Sequence, residues 1–258
     1  MKRRQFIAAS MLAGASAAVP AMAQKQQQYY EFSKYKMLNN TAKGRFERFW
    51  EQAAIPALNR QGIQPVGLFR SQFGSHGLDY YVLIPHPSLE SFASTWEKIS
   101  TDSQYQTDAK PYSEPAMSDP LYYRYETGLL KAFSNMPVLE LPDHIKGKPG
   151  RLFEVRIYES HNRDKARLKI EMFNQGGEIA LFKETGLNPV MFGETLAGEK
   201  MPNLTYILGF ADIEERNKAW DTFRNSSGWA VMKENPRYAD TVSSVTDYIL
   251  SPAGCSQI

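Results

Sequence analysis

The sequence predicts an α+β fold: two tandem ferredoxin-like halves, each β-α-β-β-α-β, forming a dimeric α/β-barrel-like arrangement within one chain. Three observations carry this. Gly62, Pro65, Val66, Glu90 and Trp96 recur 124 residues later as Gly186, Pro189, Val190, Glu214 and Trp220, a period too long for a solenoid unit and suited to two copies of a small domain. Each copy also shows strand and helix periodicities in the same order. Between the copies, Ser134 to Gly150 holds Pro137, Pro142, Gly147, Pro149 and Gly150, which is linker composition. The predicted units are 29–133 and 151–251, joined by 134–150 and followed by a tail over 252–258.

Within each unit the elements follow from pattern. Tyr30 to Tyr35 reads as a strand, and its counterpart Phe153 to Tyr158 alternates strictly, with Phe153, Val155 and Ile157 on one face and Glu154, Arg156 and Tyr158 on the other. In the first helix, Phe46, Phe49, Trp50, Ala53 and Ala57 recur at helical spacing up to Gly62. In the second copy Asn162 can cap the helix, Ala166, Ile170 and Phe173 carry its apolar stripe, and Gly176-Gly177 should break it before Gly186, since each glycine costs about 1 kcal/mol against alanine in a helix interior. The second strands begin at the shared Pro-Val, and the third run over Tyr80–Ile84 and Leu204–Phe210. Further helices open at Ser88 and Asp212, with buried stripes of Leu89, Phe92, Trp96 and Ile99 in one copy and Ile213, Trp220 and Phe223 in the other. Ser103 to Pro120 reads as an irregular excursion, and last strands are expected at Leu121–Thr127 and Val242–Leu250. A ferredoxin-like sheet carries both helices on one face, so its other face needs a partner, and the second copy supplies it.

The hydrophobic content of 42% and charged content of 22% suit a soluble globular chain. The opening residues have the parts of an export signal: Lys2 to Arg4, an apolar stretch from Phe6 to Val19, and Ala21-Met22-Ala23 ahead of Gln24 as a cleavage site between Ala23 and Gln24. Arg3-Arg4-Gln5-Phe6-Ile7 resembles the twin-arginine signature, with Lys2 in place of the usual Ser or Thr, so the general secretory route stays open. The apolar stretch is shorter than the roughly 20 residues that span a bilayer. Export predicts a periplasmic or extracellular protein. Without Lys2, Arg3 and Arg4 the formal charge of +2 becomes −1, which gives no reason to expect nucleic acid or an anionic membrane as partner. Cys255 stands alone near the chain end and reads as an incidental thiol.

RLFEVRIYESHN, GGEIALFKETGLNPVMFGETLAGEKMPNLTYILGF and NPRYADTVSSV in the second half, with Ile55 to Arg60 and Gly62 to Gly67 in the first, resemble the NIPSNAP family over about Tyr29 to Ser251. The resemblance implies a ferredoxin-like dimeric α/β-barrel, with the first half as a degenerate copy of the domain. It also implies a family whose eukaryotic members are associated with mitochondria and with vesicle- or autophagy-related protein interactions. It brings no established catalytic residues.

The sequence holds no dinucleotide fingerprint, P-loop, H-E-x-x-H or cysteine-based metal motif. His76, His86, His144 and His161 fall in predicted loops or at an element boundary, so solvated histidines are expected and no metal or cofactor is assigned. Gly74 to Gly77 reads as a hairpin turn, and Trp96 and Trp220 read as core. Strand alternation gives the lead. If Phe153, Val155 and Ile157 face the helices, then Glu154, Arg156 and Tyr158 point between the two sheets, as do Glu31, Ser33 and Tyr35. Tyr122, Arg124 and Glu126 alternate in the last expected strand of the first half and join them. Such groups form either a satisfied polar core, with Glu154–Arg156 and Glu126–Arg124 pairs, or a pocket for a small polar or anionic ligand. Two function classes stay open: an exported binding or interaction protein, whose partner is a small molecule or a protein, and a cofactor-free α/β-barrel enzyme of monooxygenase, isomerase or decarboxylase type. Self-association through outer surfaces is a third use of the fold.

Overall fold

A computed structural model describes residues 26–72 and 78–258. The expected export signal with its Ala23/Gln24 junction, and the expected turn at Gly74 to Gly77, lie outside the described residues. The first half contains β1 (Tyr29–Lys36), α1 (Asn40–Phe49), a π-helical turn (Trp50–Ala54), α2 (Ile55–Arg60), β2 (Gly67–Ser71), β3 (Tyr80–His86), α3 (Leu89–Ser100), α4 (Ser103–Ser113) and β4 (Arg124–Ala132). The second contains β5 (Leu152–Glu159), α5 (Arg163–Asn174), α6 (Glu178–Glu184), β6 (Pro189–Ala197), β7 (Asn203–Phe210), α7 (Ile213–Arg224), α8 (Ser227–Lys233) and β8 (Ser244–Pro252). The strands close one barrel in the order β1-β3-β2-β8-β5-β7-β6-β4. Each half contributes four antiparallel strands, and the seams are β2 against β8, with Phe69 opposite Pro252, and β4 against β6, with Ala132 opposite Gly193.

The local signals act as their chemistry requires. Ser88, Asn162 and Asp212 accept the amides of Ser91, Lys165 and Glu215 at the starts of α3, α5 and α7, which satisfies donors that a helix start leaves free. Gly62 (φ 75°) and Gly186 (φ 82°) turn the chain out of α2 and α6 in the left-handed region. Gly176-Gly177 separates α5 from α6. At the heads of their stripes, Leu89 (45% exposed) and Ile213 (40%) stay in solvent rather than in the core.

Three segments differ from expectation. Ser103 to Ser113 forms α4, because Asp102 caps it through the Tyr105 amide. The linker is not loose: Ile145 is fully buried in the barrel core. Gly209 admits it, since a Cβ there would lie 2.5 Å from the Ile145 Cδ1. The tail is likewise packed, with Ile258 fully buried and Gln257 Oε1 accepting the Val66 amide. Cys255 is half-buried, and burial pushes its thiol up to about 11.

An eight-stranded barrel has room inside for side chains and little else. Here that room is taken by Tyr30, Phe69, Leu83, Phe153, Val155 and Met191 with their neighbours. Two other clusters lie between the sheet and the helices, one per half, built around Phe46 and Trp50 and around Phe173 and Phe182. Both faces of β3 and β7 are therefore buried along their whole length. Among the described residues, no helix is long and apolar enough to cross a membrane.

Candidate functional site

Alternation along β5 is as expected, but its sides are exchanged. Phe153 and Val155 fill the barrel, and Glu154, Arg156 and Tyr158 face the helices. The physical reason is room and partners. The narrow interior favours close-packed apolar groups, whereas α7 brings donors over the sheet. Arg216 grips Glu154 in a two-pronged contact (2.9 and 2.8 Å), Trp220 Nε1 donates at 2.6 Å and Arg156 at 2.9 Å. Burial alone would push the Glu154 carboxyl up, but Arg216, Trp220 and Arg156 outweigh it and hold it below its ordinary value. Arg156 lies over the Trp220 ring at 4.7 Å, and the Tyr206 hydroxyl donates to that of Tyr158 at 2.9 Å. Behind this cluster, Lys169 and Glu178 form a buried pair at 2.7 Å, and the Phe223 ring meets those of Phe182 and Trp229 at 4.9 and 4.8 Å. The expected Glu154–Arg156 pair exists, on the helix side and in a filled space.

The same reversal applies to β1. Tyr30 and Phe32 face the barrel, and Glu31, Ser33 and Tyr35 face the helices of the first half. There the outcome is different. Glu31, 5% exposed, forms part of the wall of a cavity of about 620 Å³ between sheet and helices. Tyr35 and Tyr125 on the sheet, Phe92 and Trp96 on α3, and Tyr105 and Tyr112 on α4 make it aromatic. The Tyr35 ring stacks on Tyr125 at 5.2 Å and meets Tyr122 edge-on at 5.0 Å. Burial pushes the Tyr35, Tyr105 and Tyr122 phenols up, so these groups stay protonated at neutral pH.

Glu31 accepts from Trp96 Nε1 at 3.3 Å and from Ser33 Oγ at 3.3 Å; Ser33 also contacts Thr127 Oγ1 at 2.8 Å. Its one ion-pair neighbour among the described residues is His86, whose Nε2 lies 3.5 Å from Glu31 Oε2. His86 is not a solvated loop histidine. It ends β3 fully buried, Nδ1 lies 3.2 Å from Ser91 Oγ, and Nε2 has no hydrogen-bond partner. His144 is a partly exposed surface group 2.8 Å from Glu215, and His161 is exposed; His76 lies outside the described residues.

The remaining candidates separate from these. Tyr122 precedes β4 and lines the helix-side cavity. Arg124 begins β4, exposed. Glu126 does face the space between the sheets, which opens at one barrel end into a cleft of about 440 Å³ with Phe32, Lys34, Tyr81, Glu199 and Tyr248. Its partner is Lys36 at 2.6 Å rather than Arg124, and that contact lowers its carboxyl. Thus Glu31, Ser33 and Tyr35 meet at one site, Glu154, Arg156 and Tyr158 at another, and Arg124 and Glu126 at neither.

Three site-defining residues were missed by alternation: His86, Phe92 and Arg216. The repeat itself held the signal, since the 124-residue offset sets Phe92 against Arg216 and His86 against Phe210.

The model of the NIPSNAP family matches residues 30–119 and 153–257, one segment in each half. Comparison with curated protein sequences gives no match. Among solved structures, a candidate monooxygenase from Lactobacillus acidophilus NCFM aligns at a TM-score of 0.57 with 10% identity, over 88% of this chain and 94% of its own. One from Fusobacterium nucleatum aligns at 0.54 with 6% identity, over 88% and 93%. A NIPSNAP-like domain protein from Burkholderia xenovorans, 20% identical, aligns at 0.36 over 40% of this chain and 86% of its own. At these identities the likeness is one of fold, and fold does not carry function.

Proposed function

The chain belongs to the NIPSNAP family, and from that premise we propose that its N-terminal half binds a flat aromatic small molecule bearing an acidic hydroxyl. One observation carries this. Glu31 is a buried carboxylate beside an aromatic-walled space, while its counterpart Glu154 is closed off by two guanidinium groups. A volume near 620 Å³ is that of a small-molecule site. Its rings offer stacking and edge contacts to a planar ligand. An ionised carboxylate is acceptor-only, so the polar group it receives must be a donor.

A hydroxyl fits better than an ammonium group. An ammonium brings three donors, and Glu31 is the one carboxylate among the described residues lining the cavity, whereas a single O–H is satisfied by it in a charge-assisted bond. The export signal read at the N-terminus would place this binding in the periplasm or outside the cell.

The test is titration with 2-naphthol, followed by its own emission and by quenching of tryptophan, since Trp96 lines the cavity. Saturable binding is expected, weakened about tenfold in Glu31→Gln, the equivalent of about 1.4 kcal/mol. No saturable binding, equal affinity in the variant, or preference for 2-naphthylmethylamine over 2-naphthol would overturn the reading.

A further inference from the structure

Resting on that site, we infer that Glu31 and His86 form a proton-transfer pair that tautomerises aromatic-fused ketones with an acidic carbon next to the carbonyl. Glu31 is the one carboxylate in a cavity wall whose other titratable groups are the phenols of Tyr35, Tyr105, Tyr112, Tyr122 and Tyr125. Glu31 reaches the cavity, and His86 lies behind it, fully buried. Nδ1 is held at 3.2 Å from Ser91 Oγ, which leaves Nε2 without a hydrogen-bond partner, 3.5 Å from the carboxylate. A buried ring nitrogen with no partner is costly, and the scaffold does not need it. The second copy carries Phe210 at the same place, fully buried. The same copy carries Arg216 where the first has Phe92, so its carboxylate is locked by guanidinium groups, and Phe210 offers no basic nitrogen where the first copy has His86. The first copy thus combines the three things that proton abstraction asks for: a base, room for substrate against it, and a second basic atom within one short step.

The step balances without a further reactant. The Glu31 carboxylate takes the proton from the α-carbon. The C–H electron pair becomes the enolate C=C as the carbonyl π pair moves to oxygen. The proton passes to His86 Nε2, where the imidazolium faces the carboxylate it has regenerated. Return of a proton through Glu31 to carbon restores the ketone, and return to oxygen gives the enol. Glu31 is the catalytic residue. His86 acts through it and is a positioning residue.

The experiment follows loss of the C1 proton signal of 2-tetralone in D2O by NMR with the full chain, against buffer alone. Tryptophan quenching by 2-tetralone and by 2-naphthol reports binding. The expected result is saturable exchange that falls to the buffer rate in Glu31→Gln. His86→Phe and His86→Gln should lower kcat about tenfold or more with KM kept within about twofold, a split that general loss of structure would not produce. If 2-tetralone binds but exchanges at the buffer rate, the proton-transfer inference falls and the binding site stands. If both His86 variants exchange at the wild-type rate, the role of His86 falls. If neither compound binds, the site itself is overturned.

Discussion

Glu31 and Glu154 occupy the same place in the two halves. Each sits on the helix-facing side of a first strand, and each accepts from a tryptophan one helix above, Trp96 at 3.3 Å and Trp220 at 2.6 Å. Around that shared contact everything else differs. Glu154 has Arg216 and Arg156, and Phe182, Phe223 and Trp229 pack behind them. Glu31 has Ser33, Phe92 and His86 at or near the matching positions, and an open cavity roofed by α4. One copy has turned a buried carboxylate into a structural lock. In the other the same carboxylate stands ready to meet a ligand. A duplicated scaffold thus separates stability from chemistry through a few side chains, Phe92 against Arg216 on a helix and Ser33 against Arg156 and His86 against Phe210 on strands, while the order of elements is kept.

The largest effect should come from cutting the lock. Breaking a buried pair leaves charge uncompensated, and because Arg216 keeps 21% exposure the cost of Glu154→Gln should be about 3 kcal/mol, the low end for buried pairs. Glu31→Gln leaves no guanidinium stranded and should cost less than about 1 kcal/mol. Urea unfolding of both variants measures the difference, and equal losses would show that Glu154 is no more a lock than Glu31.

A second measurement sharpens it through pH. The Glu154 carboxyl lies below its ordinary value in the fold, so its contribution is complete above the unfolded value of about 4.3 and is lost as pH falls through the folded one. The urea midpoint of the wild-type chain should therefore drop more steeply below about pH 4 than that of Glu154→Gln. Parallel curves would show that the lock does not titrate.

The smallest effect on stability is expected from writing the second copy into the first. Phe92→Arg sets a guanidinium opposite Glu31. It should raise stability by about 1 kcal/mol or less, or roughly 2–4 °C in melting temperature, while abolishing 2-naphthol binding. Unchanged binding would place the ligand elsewhere than against Glu31.

Much of the scaffold was legible residue by residue. Gly62 and Gly186 end helices, Ser88 and Asp212 cap them, and Gly176-Gly177 breaks one, because these effects depend on backbone sterics and groups a few residues away. The α4 helix was not legible: Ser103 to Ser113 lacks a clear apolar stripe and contains Pro111, and it is held by packing over the first-half cavity. Nor was the burial of Ile145 and Ile258, since each fills a gap whose walls come from distant strands. The candidate site was half legible. Alternation sets Glu31, Ser33 and Tyr35 on one strand face, and the fold turns that face to the helices rather than to the space between the sheets; His86 falls at the end of β3, where its neighbours in sequence say nothing of its burial.

The chain's own order determined the duplication, the run of strands and helices in each copy, and which side chains share a strand face, since these follow from a period of two in strands and from local turn chemistry. Which face looks inward was decided only by closure. In a barrel covered by helices both faces are buried, so alternation marks two sides without naming them, and Arg216 or Phe92 from a helix dozens of residues away decides whether a carboxylate meets a guanidinium or an open cavity.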